Sequence, residues 1–228
     1  VANLRTRAIR KSHYKNYRYS LICRLHRESD NPPSYRFYPQ RKDIPNADRE
    51  NHSKNDLTVV YTPLNGTGAI PVVTTLSLAG FGNIEMIREQ EKPDGNFPTV
   101  AKPNPEYPEV FTLGIEIANS VGSDLVIATD PDSDRVGVMT RTKSGEFVTI
   151  SGNQMGALLL DYAISQRKLL GKLPEYAYCV KSIVSTDMAY KIAQSNGIKL
   201  HDVLTGFKFI GETIKNYEKL GKADGFVL

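Results

Sequence analysis

Asp130, Asp132 and Asp134 stand at alternate positions in Thr129-Asp130-Pro131-Asp132-Ser133-Asp134-Arg135, directly after the apolar run Leu125-Val126-Ile127-Ala128. Three carboxylates on so short a loop can converge on one point. Hard oxygen donors in that number suit Mg²⁺, which keeps further positions for water and substrate phosphate. Without a cation the three charges repel one another, so a divalent phosphate site accounts for the spacing better than a solvated acidic turn does. A calcium loop of the EF-hand kind is excluded, because it needs Gly at its sixth position and Glu at its twelfth. Counted from Asp130, those positions hold Arg135 and Arg141. The triplet alone fits any Mg²⁺ site, and its surroundings must narrow the reading.

The elements that must position this loop read as alternating strands and helices. Leu57-Thr58-Val59-Val60-Tyr61 is a β-branched run that ends at Pro63 and leads into the turn Asn65-Gly66-Thr67-Gly68, as a buried strand entering a loop does. Residues 69–79 then read as a helix with Pro71 in its first turn and Gly80 near its end, and residues 83–88 as the next strand. Five prolines and few apolar residues make 92–108 a long loop. Residues 109–121 resume helical spacing, with Val110, Leu113, Ile117 and Val121 on one face. Beyond the acidic loop, 136–139 and 147–150 are strands on either side of the Ser144-Gly145 turn. A helix from Ser151 through Arg167 is expected to turn Leu158, Leu159, Tyr162 and Ala163 inward. Tyr178-Cys179-Val180 and Ile183-Val184 bracket another strand, Thr186 caps a helix that Gly197 closes, and Thr205-Gly206 precedes a helix through Leu220. This alternation sets the fold class as α/β, in two consecutive layered domains with mixed sheets.

Three phrases in order give the chain a family likeness. Tyr61-Thr62-Pro63-Leu64-Asn65-Gly66-Thr67-Gly68, the acidic loop from Asp130 to Arg135, and Leu204-Thr205-Gly206-Phe207-Lys208-Phe209-Ile210-Gly211-Glu212 resemble the α-D-phosphohexomutases, in the wording of the bacterial phosphoglucomutase branch. The resemblance runs over residues 57–228. It implies that the chain carries domain two and an incomplete domain three of such an enzyme, with boundaries at 56–150 and 151–228. In that family an active phosphoserine passes its phosphoryl group to a sugar phosphate, and a bisphosphate such as glucose 1,6-bisphosphate turns over as the intermediate. The resemblance assigns Mg²⁺ to Asp130, Asp132 and Asp134, and a place near the reacting phosphate to Arg135. A planar guanidinium suits phosphate oxygens; an ion pair with the loop's own carboxylates is the competing role. Lys181 matches a lysine that approaches the active-site phosphate, and Gly206, Phe207 and Lys208 match the sugar-contacting loop. Apart from the resemblance, Gly206 can serve an unusual backbone angle, and Phe207 can be core.

Other parts of the family's pattern are missing or altered. The catalytic serine belongs to a Thr-Ala-Ser-His-Asn-Pro type segment, and the nearest phrase is Ser29-Asp30-Asn31-Pro32-Pro33-Ser34-Tyr35, with Asp where His is expected. Ser29 is thus the candidate nucleophile, although Asn-Pro-Pro-Ser is also an ordinary loop. Residues 1–55 hold 13 Lys and Arg against 5 Asp and Glu, within an overall formal charge of +4, and read as an unassigned basic segment, with a remnant of domain one as the alternative. Tyrosines interleaved with these cations could stack on bases, but no nucleic-acid-binding signature accompanies them and nucleic acid is not expected as a partner.

No apolar run reaches the roughly 20 residues of a membrane span and no secretory h-region follows the basic start, so a cytoplasmic location is expected and no membrane partner. Cys23 and Cys179 lack CxxC spacing and are expected as free thiols. The leading expectation is phosphoglucomutase chemistry on a hexose phosphate, glucose 1-phosphate to glucose 6-phosphate, with this chain inactive by itself. The alternative is a non-catalytic module that binds Mg²⁺ and sugar phosphate. Self-association through truncated sheet edges is a further expectation.

Overall fold

The computed structural model describes residues 57–228; Cys23, Ser29 and the rest of the basic segment lie outside the described residues. The β-branched run forms β1 (Thr58–Thr62), which is buried on both faces from Val59 onward. It is an inner strand: β2 (Asn83–Met86) and β3 (Leu125–Thr129) both pair with β1 in parallel, one on each edge. Parallel strands need crossovers. The first contains helix α1 (Ala69–Ala79), and the second contains α2 (Arg88–Glu91), the proline-rich loop and α3 (Thr112–Val121). From β3 the chain turns back through β4 (Val136–Arg141) and β5 (Phe147–Ile150), both antiparallel to their predecessors, and the sheet order is β2-β1-β3-β4-β5. The core on this sheet comprises Val60, Leu64, Ile87, Val110, Phe111, Ala118, Val126, Ala128 and Met139.

Helix α3 lies close to β3 because Gly114 faces Val126, whose Cγ1 would stand 2.6 Å from a Cβ at that position. The expected helical face is partly shifted. Val110 is buried and Leu113 and Ile117 pack on the core, but Val121 is 42% exposed and Gly114 and Ala118 face inward. Val121 is the last residue of α3, eight residues beyond Leu113, and at 3.6 residues per turn an i, i+4, i+8 row has drifted by about 80° by then, which carries Val121 off the core face beside the Gly122 cap.

A second α/β layer follows. Helix α4 (Gly152–Leu169) begins with a capping box in which Gln154 N donates to Ser151 Oγ and Ser151 N donates to Gln154 Oε1. Strands β6 (Tyr178–Ser182) and β7 (Lys199–Val203) pair in parallel through α5 (Met188–Ser195), and α6 (Phe207–Lys219) follows β7. On the other side of β6, Val227 N donates to Tyr178 O and Val180 N donates to Leu228 O. Leu160, Ile164, Ala177, Cys179, Ala193, Ile198 and Val227 form this layer's core. Cys179 is a buried free thiol, and burial pushes its pKa up to about 11.

Three local expectations need correction here. Helix α4 turns Leu160 and Ile164 inward, while Leu158, Leu159 and Tyr162 are exposed and Ala163 is partly buried. Its run from 157 to 160 is apolar all round, so periodicity offers two faces and contact with the β6 layer selects one. Strand β6 ends at Ser182, leaving Ile183 and Val184 exposed in the turn beyond it. Strand β7 was not expected at all; Lys199-Leu200-His201-Asp202-Val203 is a half-exposed strand whose polar residues obscure the β pattern. Helix α6 is held down by Tyr217, which stacks on Tyr178 with ring centroids 3.6 Å apart and shares a 2.9 Å hydrogen bond with His201 Nε2.

The orientation of α4 can be measured. Ile164→Ala should cost about 2–5 kcal/mol in urea unfolding, whereas Leu158→Ala should stay within about 1 kcal/mol. The reverse order would restore the face expected from periodicity.

Candidate metal and phosphate site

Strand β3 delivers Asp130 from the sheet interior, and the following loop returns along β4. Closure is local: Asp130 N donates to Arg135 O at 3.3 Å, Ser133 N donates to Asp130 O at 3.0 Å, and Ser133 takes a left-handed φ of 61°. Asp130 has no exposed surface, and a carboxylate so placed must be satisfied. Arg135 does this twice, through its backbone N to Oδ1 at 2.9 Å and its Nε to Oδ2 at 2.7 Å. Burial by itself would raise the Asp130 pKa, but these bonds and the Arg135 charge together lower it. Asp132 and Asp134 are exposed, and one carboxylate oxygen from each of the three aspartates lies within 4.8 Å of the others. Repulsion from Asp132, then burial and Asp130, pushes the Asp134 pKa up. That strain, and an all-oxygen donor set converging at this distance, fit Mg²⁺.

The turn after β1 clasps the acidic loop. Thr67 N and Thr67 Oγ1 both donate to Pro131 O, at 2.9 and 3.1 Å. Gly66 lies against the Pro131 backbone, and Gly68 lies against Thr129, Ser133 and the Tyr61 hydroxyl, so a Cβ at either position would overlap its neighbours. Tyr61 Oη and Thr129 Oγ1 share a 2.8 Å hydrogen bond across β1 and β3, and burial pushes the phenol up to about 12. Asn65 at φ 56° holds the turn's other side, donating from Nδ2 to Glu89 O and Lys92 O. Buried Gln90 accepts from Thr62 Oγ1 at 2.6 Å and donates to Thr99 Oγ1. Thr67 and Gln90 were not singled out from the sequence. A Gly-rich turn directly after a buried strand was the available signal for Thr67; Gln90 gave none.

Arg135 pairs with the loop as the ion-pair alternative required, at 2.7 Å to Asp130 and 3.7 Å to Asp134. It does so with Nε and remains half-exposed, so both ends of the guanidinium need not serve the same partner. Lys181, near the end of β6, lies 2.6 Å from Asp202 and 3.6 Å from Asp187, with its side chain 9% exposed. Gly206 has φ 129° and ψ 138° at the entry to α6, a conformation that requires glycine. Phe207 is 90% exposed at that entry and is not core. Lys208 Nζ sits 5.7 Å from the Phe209 ring centroid. The register Ser182↔Val203 brings the C-terminal ends of β6 and β7 together, and hence Lys181 and the 206–208 segment to one end of that pair. Among the described residues, no hydrogen bond or ion pair joins this group to the acidic loop. Both groups occupy C-terminal strand ends, where α/β sheets place ligands.

Two family patterns match the chain: Phosphoglucomutase/phosphomannomutase, alpha/beta/alpha domain II, over residues 37–145, and alpha/beta/alpha domain III over residues 151–222. A phosphoglucomutase of Staphylococcus aureus strain N315 is 40% identical over 165 residues, 72% of this chain and 29% of that protein. The S. aureus USA300 phosphoglucomutase is 39% identical over the same length. The structure of a phosphoglucomutase/phosphomannomutase family protein from Burkholderia thailandensis has the same fold, with a TM-score of 0.53 at 24% identity over 72% of this chain and 32% of that one. The chain therefore spans 29% of the length of the curated relatives it matches.

The clasp makes its own prediction. Gly68→Ala should destabilise the fold by about 1–3 kcal/mol in urea unfolding, as overpacking does. Gly82→Ala, where a Cβ meets nothing within 4 Å, is the control expected to change little. Equal effects would mean that the loop contact is loose.

Proposed function

The chain belongs to the phosphoglucomutase/phosphomannomutase family, and from that premise we propose that it holds the metal site and part of the sugar-phosphate site of a phosphoglucomutase. The reaction assigned to the whole protein is interconversion of glucose 1-phosphate and glucose 6-phosphate through a phosphoserine and glucose 1,6-bisphosphate. Residues 56–150 are domain two, and 151–228 are part of domain three. The observation that carries this reading is the convergence of Asp130, Asp132 and Asp134 on one point beside Arg135.

Asp130, Asp132 and Asp134 would hold Mg²⁺, which when bound offsets the charge that spreads over a transferring phosphoryl group. Asp130 is the fixed member of the set, since both its oxygens are already oriented by Arg135. Asp132 and Asp134 face solvent and can adjust. Arg135 holds positive charge at the edge of the same loop, where a phosphate oxygen can accept from it. Lys181, Gly206, Phe207 and Lys208 are assigned to the sugar phosphate. An exposed aromatic at the head of α6 is suited to cover a sugar ring, and Lys208 beside it to meet a phosphate. Catalysis on this plan is positioning and electrostatic stabilisation. Ser29, the candidate phosphate carrier, lies outside the described residues.

Calorimetry should show Mg²⁺ binding to the wild-type chain and much weaker binding to D130N/D132N/D134N; equal affinity would remove the metal assignment. Assayed with glucose 1-phosphate, Mg²⁺ and glucose 1,6-bisphosphate, the 228-residue chain alone should show negligible turnover. An ordinary rate of roughly 1–1,000 per second would overturn that expectation and make Ser29→Ala the next variant to examine.

A further inference from the structure

Lys181 is proposed above to meet a sugar phosphate, yet two carboxylates already surround it. They are not equivalent. Asp202 comes from β7, in register with Lys181 itself, and its Oδ1 lies 2.6 Å from Lys181 Nζ. Asp187 comes from the turn before α5, is 96% exposed in its side chain, and lies 3.6 Å away. An ammonium group has three donors. One goes to Asp202 and a second to Ser185 O at 3.2 Å. Among the described residues the third has only Asp187 nearby, beyond ordinary hydrogen-bond distance.

The turn that supplies two of these partners is itself fixed. Ser185 N donates to Ser182 O, the two serine hydroxyls are 3.0 Å apart, and Thr186 N donates to Asn153 Oδ1 at 3.0 Å. Lys181, Ser182, Ser185, Thr186 and Asn153 form the polar side of a cavity of about 250 Å³ whose other walls are largely apolar. With both aspartates ionised, Lys181 and its partners carry a net negative charge, which opposes an anion entering there. Something must yield before phosphate can bind, and the exposed, longer contact is the weaker one.

We propose that Asp202 is a positioning residue that holds Lys181 in its binding orientation, while Asp187 is a counter-ion that the substrate phosphate displaces. The inference rests on the reading of Lys181 as a phosphate-binding residue. Asp202 keeps the ammonium at the end of β6, and Ser185 O fixes its second donor. Phosphate then takes the third donor from Asp187, whose carboxylate swings into solvent at little cost because it is already exposed.

Removing either carboxylate changes the net charge equally, so general electrostatics would make both changes tighten anion binding. The proposal requires opposite signs. Binding of glucose 6-phosphate to the full 228-residue chain is followed by NMR titration at low salt. D187N should bind about threefold more tightly, with the gain shrinking as salt rises. D202N should bind about tenfold more weakly, and D202E should recover part of the loss. Lys181→Met should weaken binding at least as much as D202N. If Lys181→Met leaves binding unchanged, the phosphate role of Lys181 fails. If Lys181→Met weakens binding but D187N and D202N shift it in the same direction, that role stands and the division of labour proposed for the two aspartates fails. Should D202N not fold, D202S supplies the same comparison.

Discussion

A carboxylate with no exposed surface stands where a largely buried strand meets the acidic loop, and most of the site's shape follows from the need to satisfy it. Asp130 accepts from the backbone and the side chain of Arg135, five residues further on. For one residue to make both bonds, the intervening chain has to fold back within a single tight loop. Ser133 meets that requirement with a left-handed backbone, and Asp132 and Asp134 are left facing outward beside the buried carboxylate. Breaking such a pair by removing one partner strands a buried charge, at a cost of about 3–5 kcal/mol in comparable cases. Arg135 is thus structural through Nε whatever its outer nitrogens contact.

The same loop is gripped from outside. Thr67 ties it to the turn after β1 through Pro131 O, and Gly66 and Gly68 allow the two loops to approach with no side chain between them. Both loops leave from the C-terminal ends of neighbouring parallel strands, so the β1–β3 register fixes their separation before any ligand is present. The Tyr61–Thr129 bond reinforces that register just beneath the loops. Preorganisation of this kind is what an electrostatic site needs, because donors and charges that are already placed do not have to reorganise when a phosphate arrives.

The second layer repeats the arrangement with the sign of charge reversed. Here a nearly buried lysine, rather than an aspartate, stands one residue before the end of a parallel strand, and its neighbour strand supplies the opposite charge. Its surroundings also anchor α6, whose Tyr217 stacks on Tyr178 of the same strand. Phe207 and Lys208 are therefore presented from a helix fixed at its far end. The difference between the layers lies in exposure: Asp130 is sealed by its partner, whereas Lys181 retains one exposed competitor, Asp187.

Much of this was readable from local sequence. The spacing of Asp130, Asp132 and Asp134 after an apolar run, the Asn65-Gly66-Thr67-Gly68 turn and the strand and helix order follow from short-range sterics and periodicity, which act between near neighbours in the chain. The tertiary structure decided what depends on distant partners. Helix α4 is apolar on more than one side, and only its packing on the β6 layer chose Leu160 and Ile164 over Leu158 and Tyr162. Strand β7 carries Lys199, His201 and Asp202, a polar pattern that becomes a strand because β6 offers it a hydrogen-bonding edge. Phe207, which composition alone allowed as core, stands 90% exposed because nothing among the described residues covers the start of α6. Thr67 reaches Pro131 across 64 residues and Lys181 meets Asp202 across the β6–β7 pair, and such contacts are set by strand register rather than by spacing along the chain.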